Sequence, residues 1–166
     1  VWRVDFLMIL VLLGTQDKQF DRLLKEVSDL KEQGKIKEEV VAQIGCSKFR
    51  SKYIKAFDFV SKDEINDLID KASLVIAHGG VGIITECLNK NKKVIVAPRL
   101  EKYKEHTNDH QLEITKEFAK NKYIIPFYEN DNLEDKIKEA KKLKVKKYKS
   151  NNDKFISSIK NYIDNI

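Results

Sequence analysis

Cysteine is nearly absent: Cys46 and Cys87 stand far apart, in no metal-ligand spacing. That excludes a disulfide scaffold and a cysteine-based zinc module, and it suits a reducing compartment. Cys87 falls within a helical pattern beside Glu86 and reads as a small buried hydrophobe. Proline is confined to Pro98 and Pro126 and glycine to six positions, so the chain has no linker of either type. It also shows no internal repeat and no low-complexity tract. Long hydrophobic runs are missing as well. The strongest, residues 6–13, falls far short of the roughly 20 residues a membrane-spanning helix needs. It has no small-residue cleavage site, so it reads as a buried first strand rather than a signal peptide. Met8 is the only methionine, and residues 1–7 read as a leader or upstream extension ahead of it. Arginine is scarce, four residues among 32 basic ones, and no aromatic-plus-basic motif of an RNA-binding module occurs, so nucleic acid is not an expected partner. The net charge of +6 permits attraction to phosphates or an anionic membrane surface without demanding either.

What is present is enough for one domain. A chain of 166 residues, 42% hydrophobic and 35% charged, can bury a core unaided and suits the cytosol. Apolar β-rich runs at 8–13, 40–44, 54–59, 74–77, 93–97 and 123–126 alternate with helical periodicity at 20–32, 61–70, 82–89, 109–121, 133–143 and 153–163. Ser61 and Glu64 form a capping-box pattern at the start of the second helix. Residues 99–107 read as a polar loop. Alternation of this kind predicts an α/β fold, a Rossmann-like parallel sheet spanning residues 8–128. The lysine-rich helices of 129–166 follow it as a possible partner contact.

Ligands of open α/β sheets bind beyond the carboxyl ends of the strands, and three segments carry useful residues there. In Leu74-Val-Ile-Ala-His78-Gly79-Gly80-Val-Gly82-Ile-Ile-Thr-Glu86 a buried strand runs into a glycine-rich turn and a helix start. Backbone N–H groups and a helix dipole then face an anion, a phosphate above all. His78 can donate to it, Gly79, Gly80 and Gly82 admit close backbone approach, and Glu86 can accept from a ribose. A dinucleotide fingerprint would follow the first strand, not the fourth, and the Walker pattern is absent, so NAD is disfavoured. Gly14-Thr15-Gln16 closes the first strand with amides and a hydroxyl that can touch a diphosphate; the plainer alternative is an ordinary strand-to-helix turn. Asn108-Asp109-His110-Gln111 offers donors and acceptors for sugar hydroxyls, although Asn108 or Asp109 can equally serve as a helix cap.

These residues resemble the C-terminal, donor-binding domain of GT-B glycosyltransferases, the glycosyltransferase family 28 C-terminal domain. The succession His78-Gly79-Gly80-x-Gly82-x-x-x-Glu86, Pro98 and Asp109-His110-Gln111 is similar to the UDP-sugar signature of plant and bacterial members. The loop before Asp109 is longer here. The likeness is strongest to soluble subunits of two-component transferases, both the eukaryotic dolichol-linked type and bacterial exopolysaccharide and capsule subunits. It is carried by Met8-Ile-Leu-Val-Leu-Leu-Gly14-Thr15-Gln16-x-x-x-Phe20-Asp21-Arg22-Leu23 and His106-x-Asn108-Asp109-His110-Gln111.

The resemblance implies half of a GT-B fold and a UDP-sugar donor substrate, with no cofactor and no metal. It implies phosphate and nucleotide contacts from Gly14, Thr15, His78, Gly79, Gly80, Gly82 and Glu86, and sugar contacts from Asn108, Asp109, His110 and Gln111. Galactose is the expected sugar, ahead of glucuronate and N-acetylglucosamine. The implied partner is a membrane-associated subunit that binds a polyprenyl-linked acceptor and recruits this cytoplasmic chain to the inner membrane face. The general base is expected on that partner, with His110 and His106 as weaker candidates. Phe155, Ile156, Ile159, Tyr162 and Ile163 are candidates for partner contact, or for packing on the chain's own sheet. The lysines between 136 and 149 face anionic lipid or the partner, or simply water. Two other classes stay open: a non-catalytic binding or stabilising module, and an independent nucleotide-sugar epimerase or hydrolase.

Overall fold

The apolar run Met8–Leu12 becomes a central strand, β1, in which all five residues are buried. A strand covered on both faces has no polar side to show, which is why it reads as a continuous hydrophobic run. The computed structural model describes residues 7–149 and 153–165. Around β1 lie β2 (Glu39–Gln43), β3 (Lys55–Phe57), β4 (Leu74–His78), β5 (Val94–Ala97) and β6 (Ile125–Pro126). All pairings are parallel, in the order β3-β2-β1-β4-β5-β6. The helices are α1 (Asp21–Glu32), α2 (Lys62–Lys71), α3 (Val81–Asn89), α4 (His110–Lys120), α5 (Leu133–Lys142) and α6 (Asp153–Asp164).

Alternate residues of β1 enter opposite layers. Ile9, Val11 and Leu13 share a core with Leu23, Leu24 and Val27 of α1 and Leu133, Ile137 and Ala140 of α5. Met8, Leu10 and Leu12 join Ile69 of α2, Ile84 and Leu88 of α3, Phe118 of α4 and Ile159 of α6. Each such aliphatic side chain contributes about 1.5–3 kcal/mol by leaving water. The capping box at Ser61 and Glu64 is formed, with both reciprocal hydrogen bonds present.

Three expectations need correction. The strand expected over 54–59 shrinks to β3, which hydrogen-bonds β2 alone through three residues. The strand expected over 123–126 shrinks to Ile125–Pro126, an edge position that tolerates a residue without an N–H. The loop expected to be polar over 99–107 contains a 3-10 turn, Glu101–Tyr103, and buries Arg99, Leu100 and Glu105.

The carboxyl-terminal helices are layers of the same domain. Of the residues set aside for partner contact, Ile159 is buried in the core, Ile156 is half-buried, and Tyr162 and Ile163 are exposed. The Phe155 side chain lies outside the described residues, as do residues 1–6 of the expected leader. Several lysines of the basic stretch are tied to the domain: Lys141 reaches Glu38 at 2.5 Å, Lys138 reaches Glu134, and Lys146 sits over the Tyr123 ring. Among the described residues no helix is long and apolar enough to cross a membrane.

Candidate functional site

The chain leaves β1 for α1 in one layer and leaves β4 for α3 in the other. The two loops therefore diverge where neighbouring strands end, which opens a crevice at the topological switch point. His78, the last residue of β4, forms its floor.

The His78 ring is wedged between two glycines. A Cβ at Gly14 would lie 2.5 Å from His78 Nε2, and one at Gly80 would lie 2.3 Å from Cε1. Gly14 also has φ of 76°, the left-handed region that glycine enters without penalty. A Cβ at Gly79 would meet Gln111 Cβ at 2.7 Å. Gly82 differs: nothing lies within 4 Å of the place its Cβ would take, so the fold itself does not require glycine there.

Gln111 fixes the state of His78. Its Oε1 accepts from the backbone N–H groups of Gly79 at 2.9 Å and Arg99 at 3.1 Å, so that end of the amide must be oxygen. The amide nitrogen, 3.2 Å from His78 Nδ1, is then the donor. Nδ1 is the acceptor and the ring proton sits on Nε2, the atom facing Gly14. Burial first, and the nearby Arg99 charge second, push the His78 pKa down to about 3. The ring is a neutral hydrogen-bond donor at physiological pH. Gln111, expected at a sugar, is thus turned inward and 3% exposed. Its first task is to lock the turn, because burying an amide demands that its partners be supplied.

Beside His78 Nε2 stands the start of α3. Gly80 is its N-cap and no side chain caps it. The first intrahelical bond runs from Ile84 N–H to the Gly80 carbonyl, so the N–H groups of Val81, Gly82 and Ile83 have no helical acceptor. Two turns on, Glu86 is half-buried and has no ion pair or side-chain hydrogen bond among the described residues. Thr15 is exposed on the opposite lip. Phe59, which the sequence reading passed over, is 49% exposed. Its ring borders Gly45, whose Cβ would stand 2.7 Å from the Gly14 carbonyl oxygen.

The β1–α1 loop is held from beneath by a residue that sequence reasoning also missed. Arg99 is 1% exposed. Its guanidinium donates to the carbonyls of Leu13 at 2.6 Å, Lys18 at 3.0 Å, Gln19 at 3.1 Å and Glu105 at 3.1 Å. It also lies over the Phe20 ring. Glu105, buried too, accepts both arms of the Arg22 fork and the Leu100 N–H. One available signal is the scarcity of arginine. In a chain that uses lysine for most positive charge, two of four arginines enter this network, where a planar fork is needed.

The segment before α4 is divided in its duties. Asn108 Oδ1 accepts the His110 N–H, a local cap, and Asp109 Oδ1 accepts the Glu101 N–H. His106 lies 3.0 Å from the Gln16 amide, and its Nδ1 accepts from the Asn108 N–H. Burial, then neighbouring His110, lowers the His106 pKa. The His110 ring stacks near it, 6.3 Å between centroids.

Over residues 8–166 the sequence matches the glycosyltransferase family 28 C-terminal domain. The chain belongs to that family. A curated relative of this family 28 domain, the "UDP-N-acetylglucosamine transferase subunit ALG13" of Candida albicans, is 34% identical over 90 residues, 54% of this chain. The chain spans about three tenths of that protein's length, 29%. A solution structure of ALG13 covers 92% of this chain and 94% of its own, with a TM-score of 0.57 at 19% identity. The glycotransferase of kitacinnamycin aligns with 98% of this chain at TM-score 0.63 and 16% identity, and 39% of that chain is covered. CalG4, the calicheamicin glycosyltransferase, gives 0.64 at 10% identity over 96% of this chain and 38% of its own. At these identities the likeness is one of fold: the family 28 domain has the architecture of one half of a GT-B transferase.

Proposed function

We propose that this family 28 domain holds a UDP-sugar across the carboxyl ends of β1, β4 and β5, as the donor-binding part of a two-component glycosyltransferase. The observation that carries the reading is the neutral His78 donor, aimed at the Gly14 turn beside three unfilled N–H groups of α3. A diphosphate has the charge and the acceptor oxygens for that cradle. Glu86 then takes the ribose hydroxyls, Thr15 closes over the phosphates, Phe59 offers its exposed face to the base, and the sugar points toward Asn108, Asp109 and His110. The name of the Candida relative, a UDP-N-acetylglucosamine transferase subunit, supports both the donor class and the idea of a subunit.

In the reaction an acceptor hydroxyl oxygen attacks the anomeric carbon from the face opposite the diphosphate. The bond from that carbon to the phosphate oxygen breaks, and its electron pair leaves on UDP. The configuration inverts. Charge on the leaving group is met by the α3 amides, the helix dipole and His78 Nε2–H, without a divalent ion. The hydroxyl proton goes to a base on the second component, because His106 is already engaged by Gln16 and the Asn108 N–H. That component is a membrane-associated subunit carrying a polyprenyl-diphosphate-linked sugar, and it brings this cytoplasmic chain to the inner face of the membrane. The sugar is galactose and the product an exopolysaccharide or capsule precursor. Two measurements test the proposal. Saturating UDP should raise the melting temperature, and transfer should require both components; melting unaffected by UDP overturns it.

A second reading is favoured by the engagement of His106 with Gln16 and the Asn108 N–H, which takes one candidate base out of the reaction. In it the chain binds donor without assisting chemistry. A Glu86→Ala complex that transfers sugar at the unaltered rate would decide for it.

A further inference from the structure

The opposite end of the sheet from the donor crevice holds an open cavity of about 500 Å³. It lies where β2 and β3 begin, against the end of α1 and the turn that leads into β3. Three segments of chain bring lysines to it. Lys31 comes from α1, Lys37 from the stretch before β2, and Lys52 and Lys55 from the approach to β3 and its first residue. Glu39 is the one carboxylate in the lining among the described residues, and Lys55 already holds it. The neighbouring charges face elsewhere. Glu38 is turned to Lys141 and the Lys37 N–H, Glu32 accepts the Tyr53 hydroxyl, and Lys35 pairs with Glu134. Even with Glu32 counted, four lysines face two carboxylates.

Surface lysines are ordinarily mobile, and a cluster of them is then no more than a solvated face. Here they are held in place. Lys31 Nζ donates to the carbonyls of Lys37 at 3.2 Å and Glu38 at 2.7 Å, neutral acceptors that fix it and leave its charge intact. Lys52 lies over the Tyr53 ring, 5.1 Å from its centre. Tyr53 is itself fixed, its hydroxyl by Glu32 and its N–H by Ser51 Oγ. The last carbonyls of α1, which would repel an anion, are consumed. Those of Asp29, Leu30 and Lys31 accept the N–H groups of Gln33, Lys35 and Gly34 respectively. An anion arriving here meets ammonium groups that are already ordered, so little side-chain freedom is lost when it binds. Several donors around one cavity fit a group with many acceptor oxygens and more than one negative charge, as a phosphate has.

We infer that this cavity is a second anion site, separate from the donor crevice, which takes a phosphate group of a soluble compound or of a lipid head. Pyrophosphate titrated calorimetrically into the full chain at low salt, with UDP saturating, tests it. Binding should persist, because UDP fills only the crevice, and should fade as salt is added. The Lys37→Gln/Lys52→Gln double variant should bind pyrophosphate about tenfold more weakly, the scale of two partly exposed charge pairs. Its UDP affinity should be unaltered, which also checks that it folds. Lys71→Gln/Lys120→Gln removes the same charge from the helices of the other layer and should change pyrophosphate affinity less than about twofold. Sedimentation with vesicles of phosphatidylglycerol and phosphatidylcholine in equal parts separates the two sources. Retention that pyrophosphate displaces assigns a lipid head, and pyrophosphate binding without retention assigns a soluble phosphate. Absence of binding to either probe overturns the inference, as does an equal response of the two double variants. If UDP itself does not bind, the donor-site reading fails, while this site is still decided by the two double variants.

Discussion

Two sets of polar residues meet at the mouth of the sheet, and they are treated in opposite ways. Under the β1–α1 loop, Glu105, Arg22, Gln111, the Nδ1 side of His78 and the two terminal nitrogens of Arg99 are bound to one another or to main-chain groups, with Arg99 Nε left over among the described residues. Across the crevice, the first N–H groups of α3 have no cap, Glu86 has no partner among the described residues, and Thr15 is exposed. Buried polar groups must be satisfied by the fold itself, whereas exposed ones can remain open to water. The first set therefore builds the shape of the crevice and the second is free to meet a guest. His78 belongs to both, since Nδ1 is used inside and Nε2 faces the Gly14 turn.

This contrast yields an ordered set of expectations. The largest effect belongs to Arg99→Met, which strands four backbone carbonyls and leaves the buried Glu105 carboxylate with Arg22 and the Leu100 N–H. Breaking a buried charged network typically costs about 3–5 kcal/mol, so the melting temperature should fall by about 10 °C in this size class. Loss of less than a few degrees, followed by circular dichroism, breaks the comparison. Next comes acid sensitivity. The folded His78 pKa is pushed below its ordinary value of 6.5 to about 3, so the unfolded chain takes up that proton first. The resulting stability is complete above pH 6.5 and is lost as pH falls from 6.5 toward 3, about 2–3 kcal/mol of it by pH 4.5. Urea unfolding at pH 7 and pH 4.5 should show a larger drop for wild type than for His78→Gln.

Gly80→Ala forces a methyl group against the His78 ring and should destabilise by about 2 kcal/mol, as overpacking does, with donor binding lost as well. Glu86→Gln should leave the unfolding midpoint unaltered and weaken UDP binding by about tenfold, equivalent to 1.4 kcal/mol. A stability loss as large as that of Gly80→Ala would move Glu86 into the structural set. Gly82→Ala should change stability by less than ~1 kcal/mol and in the favourable direction, since alanine is the better helix former. Lower UDP affinity in that same variant would sharpen the division, because the added methyl group meets only the guest.

Much of this was legible in the order of residues. Strand runs such as 8–13 and 74–77 announce themselves because a parallel sheet buries both faces. The glycine-rich turn after β4 announces itself because glycine, histidine and a helix start in succession have few other uses. The ends of β3 and β6 were misjudged, since an edge strand stops where its single neighbour stops, and no local pattern records that. The bracing role of Gln111 was illegible for a related reason. Its partners His78, Gly79 and Arg99 lie 33, 32 and 12 residues away, and only their convergence makes the amide an internal brace. Arg99 was illegible on the same ground, as it reaches Leu13 from 86 positions away.

The sequence by itself determined the alternation of strands and helices and the place of the glycine turn. It also carried enough of the family pattern to name the fold, because these depend on side chains that are neighbours in the chain or recur at a regular period. Tertiary structure decided which polar groups are consumed and which stay open, which tautomer His78 adopts, and that lysines of three separate segments gather around one cavity. Those outcomes depend on which distant segments are brought within about 3 Å of each other, the distance at which hydrogen bonds form or fail.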